Sequence, residues 1–209
     1  MAPKFIAIPG SASEEEIELL GGKFLGIGYN IKEDKIAFSL DTLVKVKRSG
    51  DRKSSSIRWG RAEVEAMRRG EYPLTLRMAL SWTMGTFDPL GLMSPFLLKA
   101  KMALRRLQGK GGPILWDQTI ALEEKRHWAD ILEEILISET VFFPRVAAPP
   151  EDTKTHVVDF AAGSLSAISA VLYALWEDER GERDSAILIA KCKLAPMVGT
   201  TIPRLELSA

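Results

Sequence analysis

Few residues in this chain have types and spacings suited to chemistry, and those few narrow the options. Two histidines and a single cysteine, Cys192, are present. A structural zinc site needs four such ligands, so none is expected, and one cysteine makes no intrachain disulfide. His127 stands beside Trp128 with no second histidine at helical spacing, which reads as a surface or interfacial histidine rather than a ligand. Asp88 precedes Pro89, where the proline ring pushes it out of the helical region. It reads as a turn residue, not a catalytic acid. The clearest chemical signal is charge. Between Tyr72 and Lys110, the cations Arg77, Lys99, Lys101, Arg105, Arg106 and Lys110 face Asp88 alone, in a chain whose 28 basic and 28 acidic residues cancel. A local surplus of cations suits contact with the phosphates of a nucleic acid; an ordinary solvated helix face would look the same. The candidates for that contact are Lys99, Lys101, Arg105 and Arg106.

Those residues need elements to hold them. The stretch Thr86–Phe96 carries Pro89, Gly91 and Pro95 among Phe87, Leu90, Leu92, Met93 and Phe96. Prolines fix φ and remove donors, and glycine admits conformations closed to other residues. So apolar a corner is expected to be buried, with both flanking helices packed on it. Before it, Tyr72–Met84 places Leu76, Leu80 and Met84 on one helical face, widened by Leu74, Met78 and Trp82. After it, Leu97–Leu107 repeats the pattern with Leu97, Ala100, Leu104 and Leu107, until Gly111-Gly112-Pro113. A third helix is expected over 119–137. Its stripe is Ala121, Trp128, Ile131, Leu132, Ile135 and Leu136, with Glu123, Glu124, Lys125, Arg126, Glu133 and Glu134 on its wet side.

Strands flank this helical middle. Lys23–Asn30 and Ile36–Leu40 read as a hairpin. Residues 45–58, basic and serine-rich, read as a solvated loop or linker, with nucleic-acid contact as the alternative. Glu63–Arg69 reads as a brief helix ending at Gly70, and Val141–Arg145 as a short extended piece. Ala147–Asp152 reads as an interdomain linker. Beyond it Thr155–Phe160, Ile168–Trp176 and Ala186–Lys191 predict an antiparallel meander, with Ala161–Ala167 as a small-residue turn. Thr200 or Thr201 then caps a helix that has Pro203 in its first turn. The acidic Glu14-Glu15-Glu16 and the lack of an apolar run behind the N-terminus argue against a signal peptide. The longest apolar run, Leu165–Trp176, is too short to span a membrane. Hydrophobic residues at 46% and charged residues at 27% fit a globular chain. A cytoplasmic or nuclear location, without secretion, is expected.

The corner also carries a resemblance. Phe87-Asp88-Pro89-Leu90-Gly91-Leu92-Met93-Ser94-Pro95-Phe96, continuing Leu98-Lys99-Ala100-Lys101, resembles the polyprotein of Pao/Bel-type LTR retrotransposons, where reverse transcriptase joins ribonuclease H. Ile202-Pro203-Arg204-Leu205-Glu206-Leu207, preceded by Ala190-Lys191 and Ala195-Pro196, is similar to the same family. Phe24-Leu25-Gly26, Trp116 and Phe143-Pro144-Arg145 fit it too. The resemblance implies an α+β chain in three parts. Residues 1–70 would be the end of a reverse-transcriptase palm with a basic linker, and 71–148 a helical thumb and connection. Residues 153–209 would be the first half of a ribonuclease H-like domain, a meander and the start of a helix. The polymerase Tyr-x-Asp-Asp turn is not in the chain, nor is Asp-Thr-Gly or Asp-Ser-Gly of an aspartic peptidase.

Ribonuclease H chemistry uses clustered carboxylates on two Mg²⁺ ions. By this resemblance Glu206 is the helix glutamate and the one retained candidate ligand and catalytic residue. Phe160, Ala161 and Ser164 align with a Phe-Cys-Asp-Ala-Ser-like run that puts Ala162 at the first aspartate. Asp159, three residues earlier, points to the opposite strand face and substitutes only through a bulge or register shift. Later aspartates would lie past Ala209. The expectation is therefore a polyprotein fragment that binds RNA–DNA hybrid or primer–template in the intact family. Mg²⁺ would serve the family, but with one or two ligands left, no ion and no catalysis are expected here. Its partners would be nucleic acid and the rest of the polyprotein. The alternative is a non-catalytic nucleic-acid-binding or interaction module.

Overall fold

The computed structural model describes residues 27–30, 35–38, 44–46, 55–57, 59–86, 88–109, 116–138, 141–144, 153–178, 180–197 and 199–208. The acidic segment near the N-terminus, Phe24-Leu25-Gly26, Phe87, Gly111-Gly112-Pro113 and the 147–152 linker lie outside the described residues. Two compact units emerge. One comprises Met1–Phe87 with Lys99–Phe143; the other comprises Asp88–Leu98 with Pro144–Ala209.

In the first unit, β1 (Ile27–Asn30) and β2 (Lys35–Phe38) pair antiparallel, Ile27 opposite Phe38. β5 (Phe142–Pro144) joins them in the order β1-β2-β5. Part of the stretch expected as a loop is paired instead. β3 (Val44–Val46) and β4 (Ser55–Ile57) form a ladder, Val44 opposite Ile57. Runs of three residues, Val-Lys-Val and Ser-Ser-Ile, are too short for alternation to mark them as strands.

The helices make the core of this unit. α1 (Arg61–Arg69) begins where Glu63 accepts from the Gly60 amide at 2.8 Å and ends at Gly70, φ 81°. That positive φ suits glycine and lets the Glu71 amide close on Ala66 O at 2.9 Å. α2 (Leu76–Gly85) starts later than its apolar pattern suggests. Thr75 is its N-cap, accepting from the Met78 amide at 3.2 Å, and Leu74 before it is buried. Met84, placed on the apolar face by spacing, is 60% exposed. α3 (Ser94–Gly109) has Pro95 in its first turn, where a missing donor costs nothing. α4 (Leu122–Ser138) buries Trp128, Ile131, Leu132 and Ile135 as its spacing predicts, while Ala121 is exposed and precedes the helix.

Three tryptophans tie these elements together. Trp59 stacks on Trp82 at 5.5 Å, and Trp82 meets Trp128 edge-on at 6.5 Å, the offset and T-shaped geometries that aromatic quadrupoles favour. Glu124 and Lys125, expected on the wet side of α4, are buried. Lys125 Nζ donates to Gly70 O at 3.1 Å, capping the end of α1, and Arg106 donates to Glu124 at 2.6 Å. Buried charge needs such partners. Across α1 and α4, Arg68 bridges Asp130 at 3.2 Å and also binds Glu133 and Glu65. The hydrogen bond from Arg68, and then its charge, holds the Glu133 carboxyl below its ordinary value of 4.5.

The second unit is a meander of β6 (Lys154–Gly163), β7 (Ala167–Glu177) and β8 (Arg183–Leu194), followed by α5 (Ile202–Glu206). All three strands run longer than their apolar patterns. Ala161, Ala162 and Gly163, read as the start of a turn, continue β6. The turn itself is tight: Ser164 Oγ accepts from the amides of Ser166 and Ala167 and donates to Ala167 O. The Thr86–Phe96 corner contributes its described residues from Asp88 onward to this unit. Asp88 Oδ2 accepts from the Met93 amide at 2.9 Å, and Leu90 O accepts from the Ala190 amide of β8 at 2.7 Å. Gly91 has φ 73°, and a Cβ there would lie 1.6 Å from Ala190 O. The corner is therefore half a sheet edge. Sequence alone presents it as a pivot between helices, because a backbone contact one hundred residues downstream of Leu90 leaves no local pattern.

Candidate functional site

The β6–β7 register fixes which residues share a face. Lys154 pairs with Glu177, Asp159 with Leu172, Ala162 with Ser169 and Gly163 with Ile168, without interruption. The one register shift in the sheet lies between β7 and β8, at Leu172/Tyr173. Successive residues alternate faces. Asp159, Ala161 and Gly163 thus share one face with Ile168, and Phe160 and Ala162 share the other. On that second face Phe160 meets Tyr173 edge-on at 5.9 Å.

α5 lies on the face of Gly163. Leu205 is buried with Ile168 and Ala195. A Cβ built on Gly163 would stand 2.7 Å from the Glu206 amide nitrogen and 2.8 Å from the Leu205 carbonyl carbon. Only glycine permits so close a crossing. Glycine at the end of β6 is needed because a helix backbone presses there. The Leu205 amide donates to Thr201 O at 3.0 Å, closing the single turn that presents Glu206, whose side chain is exposed.

This arrangement sets Glu206 beside the Ala162–Gly163 peptide. Asp159 is exposed on the face that α5 covers, but four residues of strand separate it from Gly163, about 13 Å. The unbroken β6–β7 ladder contains no bulge that would bring Asp159 to the place of Ala162. Glu206 and Asp159 are not brought together. A divalent magnesium ion takes near-octahedral oxygen coordination and commonly one or two carboxylates. At the Glu206 end of β6 the strand position on the α5 face is the methyl group of Ala161, and Ala162 lies on the other face. Among the described residues no three of His, Cys, Asp and Glu are grouped to share an ion. The residues present do not fit a two-ion centre.

The basic candidates of α3 divide. Lys99 and Arg106 are seven residues apart on one side of the helix, and each meets an acid of α4: Lys99 binds Glu134, and Arg106 binds Glu124. Arg77 forks onto Asp117 at 2.8 and 3.1 Å and lies 6.0 Å over the Trp116 ring. Three of the six cations counted over 72–110 are met by acids beyond that window. Lys101 and Arg105, one turn apart, share another side of α3 and have no acid partner among the described residues. The four cations do not form one surface.

Against known proteins, the sequence profile of one family, described as the Pao retrotransposon-like RNaseH-like domain, matches residues 75–209. No curated protein matches the chain, and no solved structure does.

Proposed function

The chain belongs to the family of Pao retrotransposon-like RNaseH-like domains, and from that premise we propose that it acts as a polyprotein segment that holds nucleic acid without cutting it. The ancestral task of such a segment is to bind RNA–DNA hybrid or primer–template during reverse transcription and to cleave the RNA strand. The observation that carries the reading is the crossing at Gly163. By the resemblance Glu206 is the family's helix glutamate; it comes down beside the end of β6, where the strand residue sharing its face is Ala161, a methyl group, while Ala162, the position aligned with the family's first aspartate, lies on the opposite face. One carboxylate neither fixes two Mg²⁺ ions nor positions an attacking water. Its partners are nucleic acid and the rest of the polyprotein. No helix among the described residues is long and apolar enough to cross a membrane; cytoplasm or nucleus is the compartment consistent with the reading.

The test is a hybrid-cleavage assay with Mg²⁺ on the intact chain, beside fluorescence anisotropy with the same hybrid. Binding without cleavage is expected. Mg²⁺-dependent turnover that disappears in Glu206→Ala would overturn the catalytic half of the reading, and absence of binding would overturn the other half. A second reading, an interaction module that grips nucleic acid through α3, is favoured by Lys101 and Arg105 alone, since both lack an acid partner among the described residues. Loss of binding in Lys101→Gln/Arg105→Gln, with Lys99→Gln/Arg106→Gln nearly silent, would favour it.

A further inference from the structure

We propose that Lys191 and Lys193 of β8 form a second, unassigned phosphate contact, one that lays the backbone of an RNA–DNA hybrid across the α5 face of the sheet. The inference rests on the hybrid-holding reading above and assigns it to particular side chains.

The placement follows from register. Past the shift at Leu172/Tyr173 the β7–β8 ladder runs evenly, with Ala170 opposite Lys191 and Ile168 opposite Lys193. Ile168 pairs in turn with Gly163, and Ala170 with Ala161. Two rows therefore cross the sheet on one face: Gly163–Ile168–Lys193 and Ala161–Ala170–Lys191. The first is the row on which Leu205 packs and against which the Glu206 amide rests. Each lysine root lies two strands from β6, about 10 Å away, and the two roots are about 6.6 Å apart along β8. That separation is comparable with the spacing of successive phosphates along one nucleic-acid strand. Cys192 between them alternates to the opposite face and does not intervene.

Both lysines are exposed, and neither has an acid partner among the described residues. Lys99 and Arg106, in contrast, are held by glutamates. Charge along the sheet is also polarised. Its β7–β8 turn end carries Glu177, Asp178, Glu182 and Asp184 against Lys154, Arg180 and Arg183, the last bound to Glu177 at 2.7 Å. The α5 end carries Lys191, Lys193 and the exposed Arg204 against Glu206. Such asymmetry draws a polyanion toward the α5 end, which is the end where the family's glutamate stands.

The experiment follows the anisotropy of a labelled RNA–DNA hybrid titrated with the full chain over a range of KCl concentrations. Lys191→Gln/Lys193→Gln is compared with wild type, with Lys154→Gln at the opposite end of the sheet, and with Lys101→Gln/Arg105→Gln. Removing two phosphate contacts should lower the slope of log affinity against log salt by roughly 1.8 and weaken binding roughly tenfold near physiological salt. Lys154→Gln should leave both unchanged. Wild-type binding that Lys191→Gln/Lys193→Gln leaves intact, with its slope, overturns the inference and spares the reading beneath it. The same result with the slope lost in Lys101→Gln/Arg105→Gln assigns the contact to α3 instead. A wild-type chain that binds no hybrid even at low salt overturns both. The lysines are exposed, so the far-ultraviolet spectrum and thermal midpoint should match wild type, and a variant that fails that check is replaced by Lys191→Arg/Lys193→Arg, which should retain the slope.

Discussion

The amide of Glu206 lies where the side chain of Gly163 would begin: 2.7 Å separates it from a Cβ built there, and the Leu205 carbonyl carbon is 2.8 Å away. Strand and helix therefore meet backbone to backbone. Gly163→Ala should displace α5, because both neighbours are main-chain atoms that cannot swing aside. Overpacking of this kind costs about 1–3 kcal/mol. Hydrogen exchange at the Leu205 amide should accelerate, while exchange in α1 and α4 stays as in wild type. Unchanged protection at Leu205 would mean that the crossing is looser than described.

A carboxylate introduced at the end of β6 tests the register. Ala161→Asp, on the face of α5, should confer weak divalent-ion binding, with dissociation constants on the order of 10⁻⁴–10⁻³ M, typical of weakly preorganised oxygen sites. Mn²⁺ relaxation titrations would detect it, and adding Glu206→Gln should remove it. Ala162→Asp, the aligned position on the opposite face, is the discriminating partner: binding there that depends on Glu206 would overturn the register of β6.

Trp128 is buried completely, and its Nε1 has no hydrogen-bond partner among the described residues. Burying an unpaired donor is costly. Trp128→Phe removes that donor along with part of the ring, so the two effects oppose each other. Its cost in chemical denaturation should stay under about 1.5 kcal/mol. Trp82→Ala, which removes the ring joining Trp59 to Trp128, should cost about 3–5 kcal/mol.

Acid should loosen the first unit through Glu133. Its carboxyl titrates below the ordinary 4.5 because Arg68 donates to it and then attracts it. A depressed carboxylate pKa contributes stability that is present above the unfolded value and lost as pH falls through the folded one. Urea midpoints should therefore decline as pH drops below about 4.5. Glu133→Gln should flatten that part of the profile. Because Glu133 is an exposed group, the same decline should shrink in high salt.

Much of the helical part was legible from periodicity. α3 and α4 bury Leu97, Leu104, Leu107, Trp128, Ile131, Leu132 and Ile135 as their spacing demands. What spacing misses is the neighbour. Lys125 reads as wet on its own helix, yet it is buried because Gly70 O at the end of α1 awaits a donor. Met84 reads as apolar lining but is exposed near the end of α2. The same limit applies at the site. The motif around Glu206 draws attention to that residue, while the requirement for glycine at 163 arises from a helix that begins thirty-nine residues later. The cations of α3 formed a cluster only in sequence, because Glu124 and Glu134 come from another helix. Alternation along β8 could have picked out Lys191 and Lys193, had the strand been read past Lys191 to its end at Leu194.

The bond between Leu90 and Ala190 has a consequence for assembly. A bare strand edge recruits any extended chain that passes. At β8 that vacancy is interrupted from within the same chain, and the fit at Gly91 leaves no room for a side chain in the seal. β6 stands at the other side of the three-strand order and, among the described residues, pairs only with β7. The sheet is therefore directional: a further strand can be added beside β6, whereas growth beside β8 must first evict the Asp-Pro-Leu-Gly corner.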